Sequence, residues 1–255
     1  MIFSKFHKLG KNNFYIKAKK RKKVRSIFQK DKYWDLLNHR DPDGKKRNLS
    51  NERDKKLNDL RNEINFIKYK FKNKNKIKLI DLGSGFGYFL SAFPNHWNKV
   101  GIEISKSLNK YSDKYGKIFN YDLEKKLPNL GKFDLIFSYH VIEHLSKPEK
   151  LIDNIKGLCK RNSIIIIGTP NFDSGCARLF GKNYRMFHDK THISLFSDFS
   201  MYRMLDKMGF KILHIDYPYF QTEHFNVKNF LRLKDKRKKS PPFYGNIMTF
   251  YMKLK

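Results

Sequence analysis

The stretch Ile77-Lys-Leu-Ile-Asp81-Leu-Gly83-Ser-Gly85-Phe-Gly87-Tyr-Phe-Leu90 decides the fold class of this chain. An apolar run enters a turn that contains three glycines and leaves it as a second apolar segment. This order predicts a buried strand, a tight turn and a helix. Glycine lets the backbone adopt positive φ and approach a ligand closely. In open parallel sheets, ligands bind at such strand-to-helix turns.

The same alternation of strands and helices continues along the chain. Short apolar runs separated by helical segments indicate βαβ units. We therefore predict an α/β fold with a Rossmann-like, doubly wound, mostly parallel sheet of seven strands and helices on both faces. The predicted strands are 77–82, 99–103, 117–120, 133–139, 163–168, 210–217 and 244–254, and the predicted helices are 88–93, 106–115, 148–160 and 197–208.

Positive charge is concentrated at both ends of the chain. The 255 residues include 55 Lys+Arg and 24 Asp+Glu, which gives a formal net charge of +31. Residues 1–76 carry +17 and residues 233–255 carry +6, so the middle of the chain is closest to an ordinary domain. We predict a basic, mainly helical N-terminal extension over 1–76 and a single domain over 77–255. Within the domain we expect an insert at 169–196 and a basic loop at 233–242.

The extension contains two amphipathic segments. Residues 17–25 hold seven basic residues in nine positions, with apolar residues on both sides. This segment fits a surface helix on an anionic membrane or on RNA, and it also fits a solvated helix face. Apolar residues between 57 and 71 recur at three- and four-residue steps, which predicts a helix of about five turns with Ser50 as its N-cap. Because the chain has 43 lysines but only three alanines, codon bias is a second explanation of the charge.

The composition excludes several classes of protein. Two cysteines are too few for a disulfide-stapled secreted fold and suit a reducing compartment. No apolar run approaches the roughly 20 residues of a membrane span. The first residues lack the apolar segment of a signal peptide. We expect a cytoplasmic protein, with a peripheral position at the inner membrane surface as an alternative.

The glycine pattern and the acids around it distinguish between nucleotide ligands. A pyrophosphate site has the pattern G-x-G-x-x-G, whereas this chain has G-x-G-x-G with Tyr88 at the next position. Asp81 precedes the first glycine by two residues, and its carboxylate suits an ammonium or sulfonium cation better than a pyrophosphate. Glu103 ends the second strand, 18 residues after Gly85, where an acid accepts hydrogen bonds from ribose. Asp122 could accept one from the exocyclic amine of adenine.

With these features, the chain resembles class I S-adenosylmethionine-dependent methyltransferases, of the bacterial small-molecule and glycan O-methyltransferase type. The resemblance covers about 140 residues and rests on Asp81–Gly87, Glu103, Asp122-Leu123, Phe133–Leu145, Gly168–Asn171 and the helix and strand at 197–217. It implies an enzyme that uses S-adenosylmethionine to methylate an acceptor hydroxyl, on a glycan or a small metabolite. It implies cofactor contacts from Asp81, Gly83, Ser84, Gly85, Gly87, Tyr88, Glu103, Ile104, Asp122, Leu123, Tyr139 and His140.

The segment His140-Val-Ile-Glu143-His144 follows the fourth strand of the domain. It matches the H-x-x-E-H signature of inverzincin proteases, but that signature requires a helix, so we discard this interpretation. We predict that Glu143, His144 and His192 are catalytic and that one of the two histidines is the general base for the acceptor hydroxyl. Some related enzymes, of the ubiquinone pathway and of small-RNA 2′-O-methylation, carry E-x-x-E-H here and bind a divalent cation. A metal would use His140, Glu143, His144 and His192, but we favour a metal-free site.

The acceptor side of the site is less defined by the sequence. Long inserts at a sheet edge commonly build binding walls, and Arg178, Tyr184 and Arg185 in the insert could contact an anionic or sugar-like acceptor. Three alternatives remain open at this point. They are an RNA 2′-O-methyltransferase, a lipid-quinone O-methyltransferase with residues 14–28 on an anionic membrane, and a non-enzymatic Rossmann-like scaffold. The basic flanks could bind nucleic acid or an anionic membrane surface.

Overall fold

The structure, a computed structural model, describes residues 6–9, 14–18 and 48–255. The strands in these ranges are β1 (Phe6–Leu9), β2 (Ile16–Ala18), β3 (Lys78–Leu82), β4 (Asn98–Ile102), β5 (Lys117–Phe119), β6 (Phe133–Tyr139), β7 (Cys159–Pro170), β8 (Ser194–Leu195), β9 (Phe210–Asp216) and β10 (Ile247–Leu254). The α-helices are α1 (Arg53–Asp59), α2 (Arg61–Lys70), α3 (Asn109–Ser112), α4 (Pro148–Leu158), α5 (Gly175–Phe180), α6 (Asp198–Lys207) and α7 (Val227–Arg232).

Seven strands form the main sheet in the order β5-β4-β3-β6-β7-β10-β9. The five strands β3 to β7 run parallel, and β10 runs antiparallel to β7 and β9. From β3, the chain adds β4 and β5 on one side and β6 and β7 on the other. The carboxyl ends of β3 and β6 therefore border the crevice where doubly wound sheets bind ligands. The predicted fold class is confirmed.

Apolar side chains cover both faces of this sheet. Leu79 of β3 packs in one cluster with Ile64 and Ile67 of α2. Ile80, the next residue, packs in a second cluster with Ile152 of α4. Successive side chains of a strand point to opposite faces, so a strand buried on both sides needs helices on both sides. Full burial of one such side chain contributes about 1.5–3 kcal/mol.

Two predicted helices are shorter than expected. The segment 88–93 contains only a 3₁₀ turn at Leu90–Ala92, because Pro94 has no N–H to continue a helix and holds Phe93 in an extended conformation. The segment 106–115 is a 3₁₀ turn at Lys106–Leu108 followed by the four-residue α3. The predicted N-cap at Ser50 is also wrong, since Leu49–Asn51 is a 3₁₀ turn and α1 begins at Arg53.

The described part of the N-terminal extension contains strands as well as helices. The predicted helix over 57–71 is interrupted at Leu60, between α1 and α2. β2 pairs antiparallel with β8 of the insert, so β1, β2 and β8 form a small second sheet. Residues 16–18 are thus not part of a surface helix, and Phe14 and Tyr15 are buried and not available to a membrane. The rest of the predicted surface helix, residues 19–28, lies outside the described residues.

None of the helices in the described ranges is long and apolar enough to cross a membrane.

Candidate active site

The loop after β3 turns through three glycines with positive φ. Gly83, Gly85 and Gly87 have φ angles of +86°, +52° and +72°. A Cβ at Gly83 would lie 2.2 Å from Cγ2 of Val141, whereas a Cβ at Gly85 would meet nothing within 4 Å. Gly83 is therefore required by both packing and backbone conformation. Gly85 is required by conformation alone, and the space beside it is open.

A cavity of about 280 Å³ lies beside this loop, at the carboxyl ends of β3 and β6. The predicted cofactor residues that line it are Asp81, Gly83, Ser84, Gly85, Tyr88, Tyr139 and His140. Five other predicted residues do not line it: Gly87, Glu103, Ile104, Asp122 and Leu123. The structure thus places seven of the twelve predicted cofactor residues around a single cavity.

Helix α1 and the residues on either side of it supply cavity residues that the sequence analysis missed. Glu52, Lys56 and Leu60 line the cavity together with Leu49 from the preceding 3₁₀ turn. Lys56 Nζ lies 5.2 Å from the ring centre of Tyr139. The Tyr88 hydroxyl donates to the carbonyl of Leu49 at 2.7 Å and joins the glycine loop to the extension. The periodicity around Leu60 predicted a buried helix face but did not indicate which part of the sheet it covers.

Two carboxyl groups lie on the sheet side of the glycine loop. Asp81 is 3% exposed, and burial together with the nearby Glu103 raises the pKa of Asp81 to about 8. Glu103 accepts hydrogen bonds from the N–H groups of Gly85 and Ser105, both at 2.9 Å. Glu103 thereby connects the glycine loop to the end of β4. Each carboxylate oxygen keeps a further lone pair for another donor.

The remaining predicted residues of this strand edge lie further along the sheet. Asp122 accepts a hydrogen bond from the N–H of Glu124 at 2.9 Å. Ile104 is half-buried. Leu123 is buried in the apolar cluster beneath α4. The structure therefore places these three residues outside the cavity, after β4 and β5.

The end of β6 is closely packed and strained. The ring of Tyr139 covers Gly168, where a Cβ would lie 2.1 Å from Cε2 of the tyrosine. The next residue, His140, has φ +57° and is the one non-glycine with positive φ in the described ranges. Its N–H donates to the carbonyl of Gly168 at 2.9 Å. Such strain costs roughly 1–3 kcal/mol and clusters at functional sites.

Glu143 is fully buried directly behind His140. Its Oε1 lies 3.0 Å from Nδ1 of His140, and its Oε2 accepts from the hydroxyl of Thr169 at 2.9 Å. Burial alone would raise the pKa of Glu143, but the hydrogen bond from His140 and the nearby His144, which is protonated at the acid pH where Glu143 titrates, lower it to about 2. Glu143 is therefore a carboxylate at neutral pH.

Two imidazoles lie next to this carboxylate with fixed tautomers. Nδ1 of His144 is 3.1 Å from the carbonyl of Thr191, and Nδ1 of His192 is 2.8 Å from the carbonyl of Met186. A carbonyl only accepts, so each Nδ1 carries the hydrogen and each neutral ring keeps a lone pair on Nε2. Nε2 of His144 lies 3.9 Å from Oε1 of Glu143.

Glu143, His144 and His192 lie close enough together to act on one ion or one proton. Glu143, His144 and His192 each offer a ligand atom, and the three atoms lie within 4.8 Å of one another. Burial lowers the pKa of His144, which favours its neutral form at pH 7. Chemically, the set can accept a proton at Nε2 or hold a divalent transition metal. His140, the fourth residue of the predicted metal set, bonds to Glu143 instead of joining the three atoms.

The predicted acceptor residues of the insert differ in their placement. Tyr184 is fully buried and its hydroxyl donates to the carbonyl of Asn171 at 2.9 Å, so it packs the insert. Arg185 is also buried. The prediction for Tyr184 is wrong, because the insert forms its own apolar cluster that includes this residue, while the role of Arg185 stays a prediction. Arg178 is exposed and makes a two-point ion pair with Asp173.

The H-x-x-E-H motif does not lie in a helix. Ile142–His144 is a 3₁₀ turn immediately after β6. The inverzincin interpretation is therefore excluded, because it requires both histidines on one helix face.

Two curated proteins of Methanocaldococcus jannaschii are similar to the chain: uncharacterized protein MJ0638, 28% identical over 166 residues, and uncharacterized protein MJ1123, 28% identical over 133 residues. These alignments cover 65% and 52% of this chain and 68% and 63% of the two relatives, so the chain spans less than two thirds of MJ1123.

A solved structure shows the same fold. Magnesium protoporphyrin IX methyltransferase from Synechocystis PCC 6803, with bound SAH, superposes with a TM-score of 0.59 at 14% identity, over 91% of this chain and 98% of that one. The family described as a methyltransferase domain matches residues 50–215. This match begins before α1 and includes the glycine loop, the end of β6 and the insert. The predicted enzyme class is confirmed, and the chain belongs to the methyltransferase-domain family.

Proposed function

We propose that this protein transfers a methyl group from S-adenosylmethionine to an acceptor hydroxyl on a glycan or a small metabolite. One observation carries the proposal. The cavity beside the glycine loop ends at His140, which bonds to Glu143, and Glu143 adjoins the imidazoles of His144 and His192. A cavity that can hold one part of the cofactor and a group of proton acceptors are thus contiguous.

The residues around the cavity complement the parts of S-adenosylmethionine. The Asp81 carboxylate would pair with the ammonium group, while the Lys56 ammonium from α1 would pair with the carboxylate. Tyr139 and His140 would lie beneath the sulfonium. The remaining predicted contacts would follow the molecule out of the cavity, with Glu103 on the ribose. The residues proposed for the adenine are Ile104, Asp122 and Leu123, and the methionine part would lie along Gly83, Ser84, Gly85, Gly87 and Tyr88.

The likeness to a solved methyltransferase with bound SAH supports this cofactor.

The proposed chemistry is an in-line displacement. S-adenosylmethionine supplies a methyl group activated by a positive sulfur. The acceptor oxygen forms a bond to the methyl carbon while the carbon–sulfur bond breaks, and the hydroxyl proton passes to Nε2 of His144 or His192. Correct alignment supplies about 7–11 kcal/mol in favourable intramolecular reactions, and general-base catalysis typically adds a factor of about 10²–10⁴.

The imidazole pair favours a hydroxyl acceptor. A hydroxyl is a weak nucleophile at neutral pH and benefits from a base, which neutral His144 provides. The buried Glu143 carboxylate would stabilise the imidazolium that forms.

A metal-assisted reaction is the second candidate. Two imidazole nitrogens and a carboxylate oxygen suit a divalent transition metal. The hydrogen bonds from Nδ1 of His144 and His192 to backbone carbonyls are the outer-sphere contacts that metal-binding histidines make. Glu143, His144 and His192 would hold the ion, which would polarise the acceptor hydroxyl.

The experiment is a turnover assay with S-adenosylmethionine and panels of glycans, small hydroxylated metabolites, quinones and RNA, read by formation of SAH. We expect turnover with a glycan or a small hydroxylated metabolite, and loss of that turnover in His144→Ala and His192→Ala. The exposed His188 offers a matched control. Turnover with an amine alone would overturn the hydroxyl assignment, and turnover that a chelator abolishes and one metal restores would select the second candidate.

A further inference from the structure

Residues 217–246, which connect β9 to β10, carry an exposed surface of aromatic side chains. Tyr219 is buried at its centre, and the rings of Phe220, Phe225 and Phe243 lie 5.4, 5.6 and 5.1 Å from it. Phe220 and Phe225 also contact each other, at 5.2 Å, yet remain 60% and 59% exposed. We define the aromatic face as the exposed side chains of Phe220, Phe225, Val227, Phe230, Leu231 and Tyr244.

The aromatic face is continuous and almost purely apolar. Five of its six side chains, all except Leu231, line a shallow cavity of about 520 Å³. Val227, Phe230 and Leu231 lie at i, i+3 and i+4 of α7, so they project from one side of this helix. Contiguous exposed apolar surfaces of this kind mark interaction sites in proteins.

A dense positive charge adjoins the aromatic face. Residues 227–239 contain seven Lys and Arg and one acid, a net charge of +6. Lys234, Lys236 and Lys238 are exposed, and Asp235 lies 3.5 Å from Lys238. Aromatic and aliphatic side chains beside a lysine-rich segment complement an anionic lipid surface, which has an apolar interior and phosphate groups at its boundary.

The chemistry favours a membrane over RNA. RNA-binding aromatic residues stack on bases and are accompanied by hydrogen-bonding groups that read the base edges. Here Phe220 and Phe225 pack edge to face on one another, at an interplanar angle of 76°, and Val227 and Leu231 are aliphatic. Aliphatic side chains offer no surface on which a base stacks, while aliphatic and aromatic side chains both suit the apolar side of a membrane interface.

The aromatic face lies at the same edge of the sheet as the candidate active site. β9 ends and antiparallel β10 begins at the carboxyl edge of the parallel strands. Glu223 forms an ion pair with Lys55 of α1 at 2.6 Å, which connects this segment to the helix that lines the cavity. A membrane bound here would lie beside the active-site edge.

We propose that the aromatic face binds the surface of an anionic membrane. Its aromatic and aliphatic side chains enter the interface, and the lysine-rich segment 234–239 contacts lipid phosphates. This inference stands independently of the methyl acceptor. The sequence-based hypotheses placed a membrane contact at residues 14–28 and on the basic flanks, and the structure adds an exposed apolar surface beside the second flank.

The test is flotation of the full chain with vesicles of phosphatidylcholine, with and without about one third phosphatidylglycerol. We expect the wild type to float with the anionic vesicles alone, and less in high salt. The variant Phe220→Ser/Phe225→Ser/Phe230→Ser should lose at least about tenfold in vesicle affinity. Its control is Tyr69→Ser/Phe199→Ser, which removes two aromatic side chains that are 71% and 68% exposed elsewhere.

A matched pair of triple lysine variants tests the contribution of positive charge to vesicle binding. Lys234→Gln/Lys236→Gln/Lys238→Gln should weaken flotation, whereas Lys72→Gln/Lys74→Gln/Lys76→Gln removes the same charge at the opposite edge of the sheet and should not. Three results would overturn the proposal: no flotation of the wild type, equal flotation of the aromatic variant, or a wild-type dimer that the aromatic variant converts to a monomer. The last would assign the face to a second copy of the chain.

Discussion

The imidazoles of His144 and His192 lie with their ring centres 5.0 Å apart, and each donates its Nδ1 hydrogen to a backbone carbonyl. One comes from the turn after β6 and the other from the insert, 48 residues later in the chain. The two segments are joined by the N–H of Ile193, which donates to the carbonyl of Glu143 at 2.8 Å. The insert thus fixes the tautomer and position of both histidines.

Removal of either histidine should affect turnover but not cofactor binding. We expect His144→Ala and His192→Ala to lower kcat by about 10²–10⁴ while the Kd for S-adenosylmethionine stays unchanged. Single-turnover kinetics and calorimetry measure the two quantities separately. A variant that loses cofactor binding and kcat together would contradict the assigned role.

The pH profile should reflect a base with a lowered pKa. Burial lowers the pKa of His144, so its neutral form persists below the pH at which a free imidazole is half protonated. We expect kcat to stay constant across neutral pH and to fall only in more acid solution. A fall in kcat that begins above pH 7 on acidification would argue against His144 as the base.

Cofactor affinity should rise with pH up to about 8. In the free protein the pKa of Asp81 is raised to about 8, and the ammonium of S-adenosylmethionine requires the carboxylate form. Binding below pH 8 should therefore release a proton, which calorimetry in buffers of different ionisation enthalpy detects. Asp81→Asn should remove this proton release. A wild type without it would show that Asp81 is already ionised or does not contact the cofactor.

Glu63 should make the fold less stable as pH rises. Glu63 is fully buried in α2, and burial raises its pKa to about 7, although Thr249 donates to its Oε1 at 2.8 Å. The folded state holds a proton that the unfolded state loses near pH 4.5, so the free energy of unfolding should fall between about pH 4.5 and 7, by up to about 3 kcal/mol.

The variant Glu63→Gln tests this directly by denaturant unfolding at pH 5 and pH 8. It should match the wild type at pH 5 and exceed it at pH 8, while Asp153→Asn on the exposed face of α4 should change neither. Equal stability of Glu63→Gln and the wild type at pH 8 would show that Glu63 carries no such penalty.

Alanine substitutions at Gly83 and Gly85 should lower the stability of the protein to different extents. Gly85→Ala adds a Cβ in open space and should cost only the strain of positive φ, about 1–2 kcal/mol. Gly83→Ala adds the same strain and also displaces Val141, so it should cost more. Thermal unfolding ranks the two, and a less stable Gly85→Ala would contradict the packing argument.

Local patterns predicted the sheet and the cofactor side of the site, because strand periodicity and turn glycines are short-range signals. Asp81, Gly83, Gly85 and Tyr139 lie around one cavity as expected. The contribution of Lys56 was missed, since an amphipathic pattern does not identify the surface that its helix covers. The strands β1 and β2 were also missed, because β2 is short and pairs with a strand more than 170 residues away. Tyr184 was assigned to the acceptor because a sequence does not show that an insert has its own core.

The central claim is that the cavity beside Asp81 holds S-adenosylmethionine, and calorimetric titration of the full chain tests it most directly. We predict micromolar binding of S-adenosylmethionine and SAH to the wild type, at least about tenfold weaker binding to Asp81→Asn, and unchanged binding to the control Asp153→Asn. No binding to the wild type, or equal binding to Asp81→Asn, would contradict it.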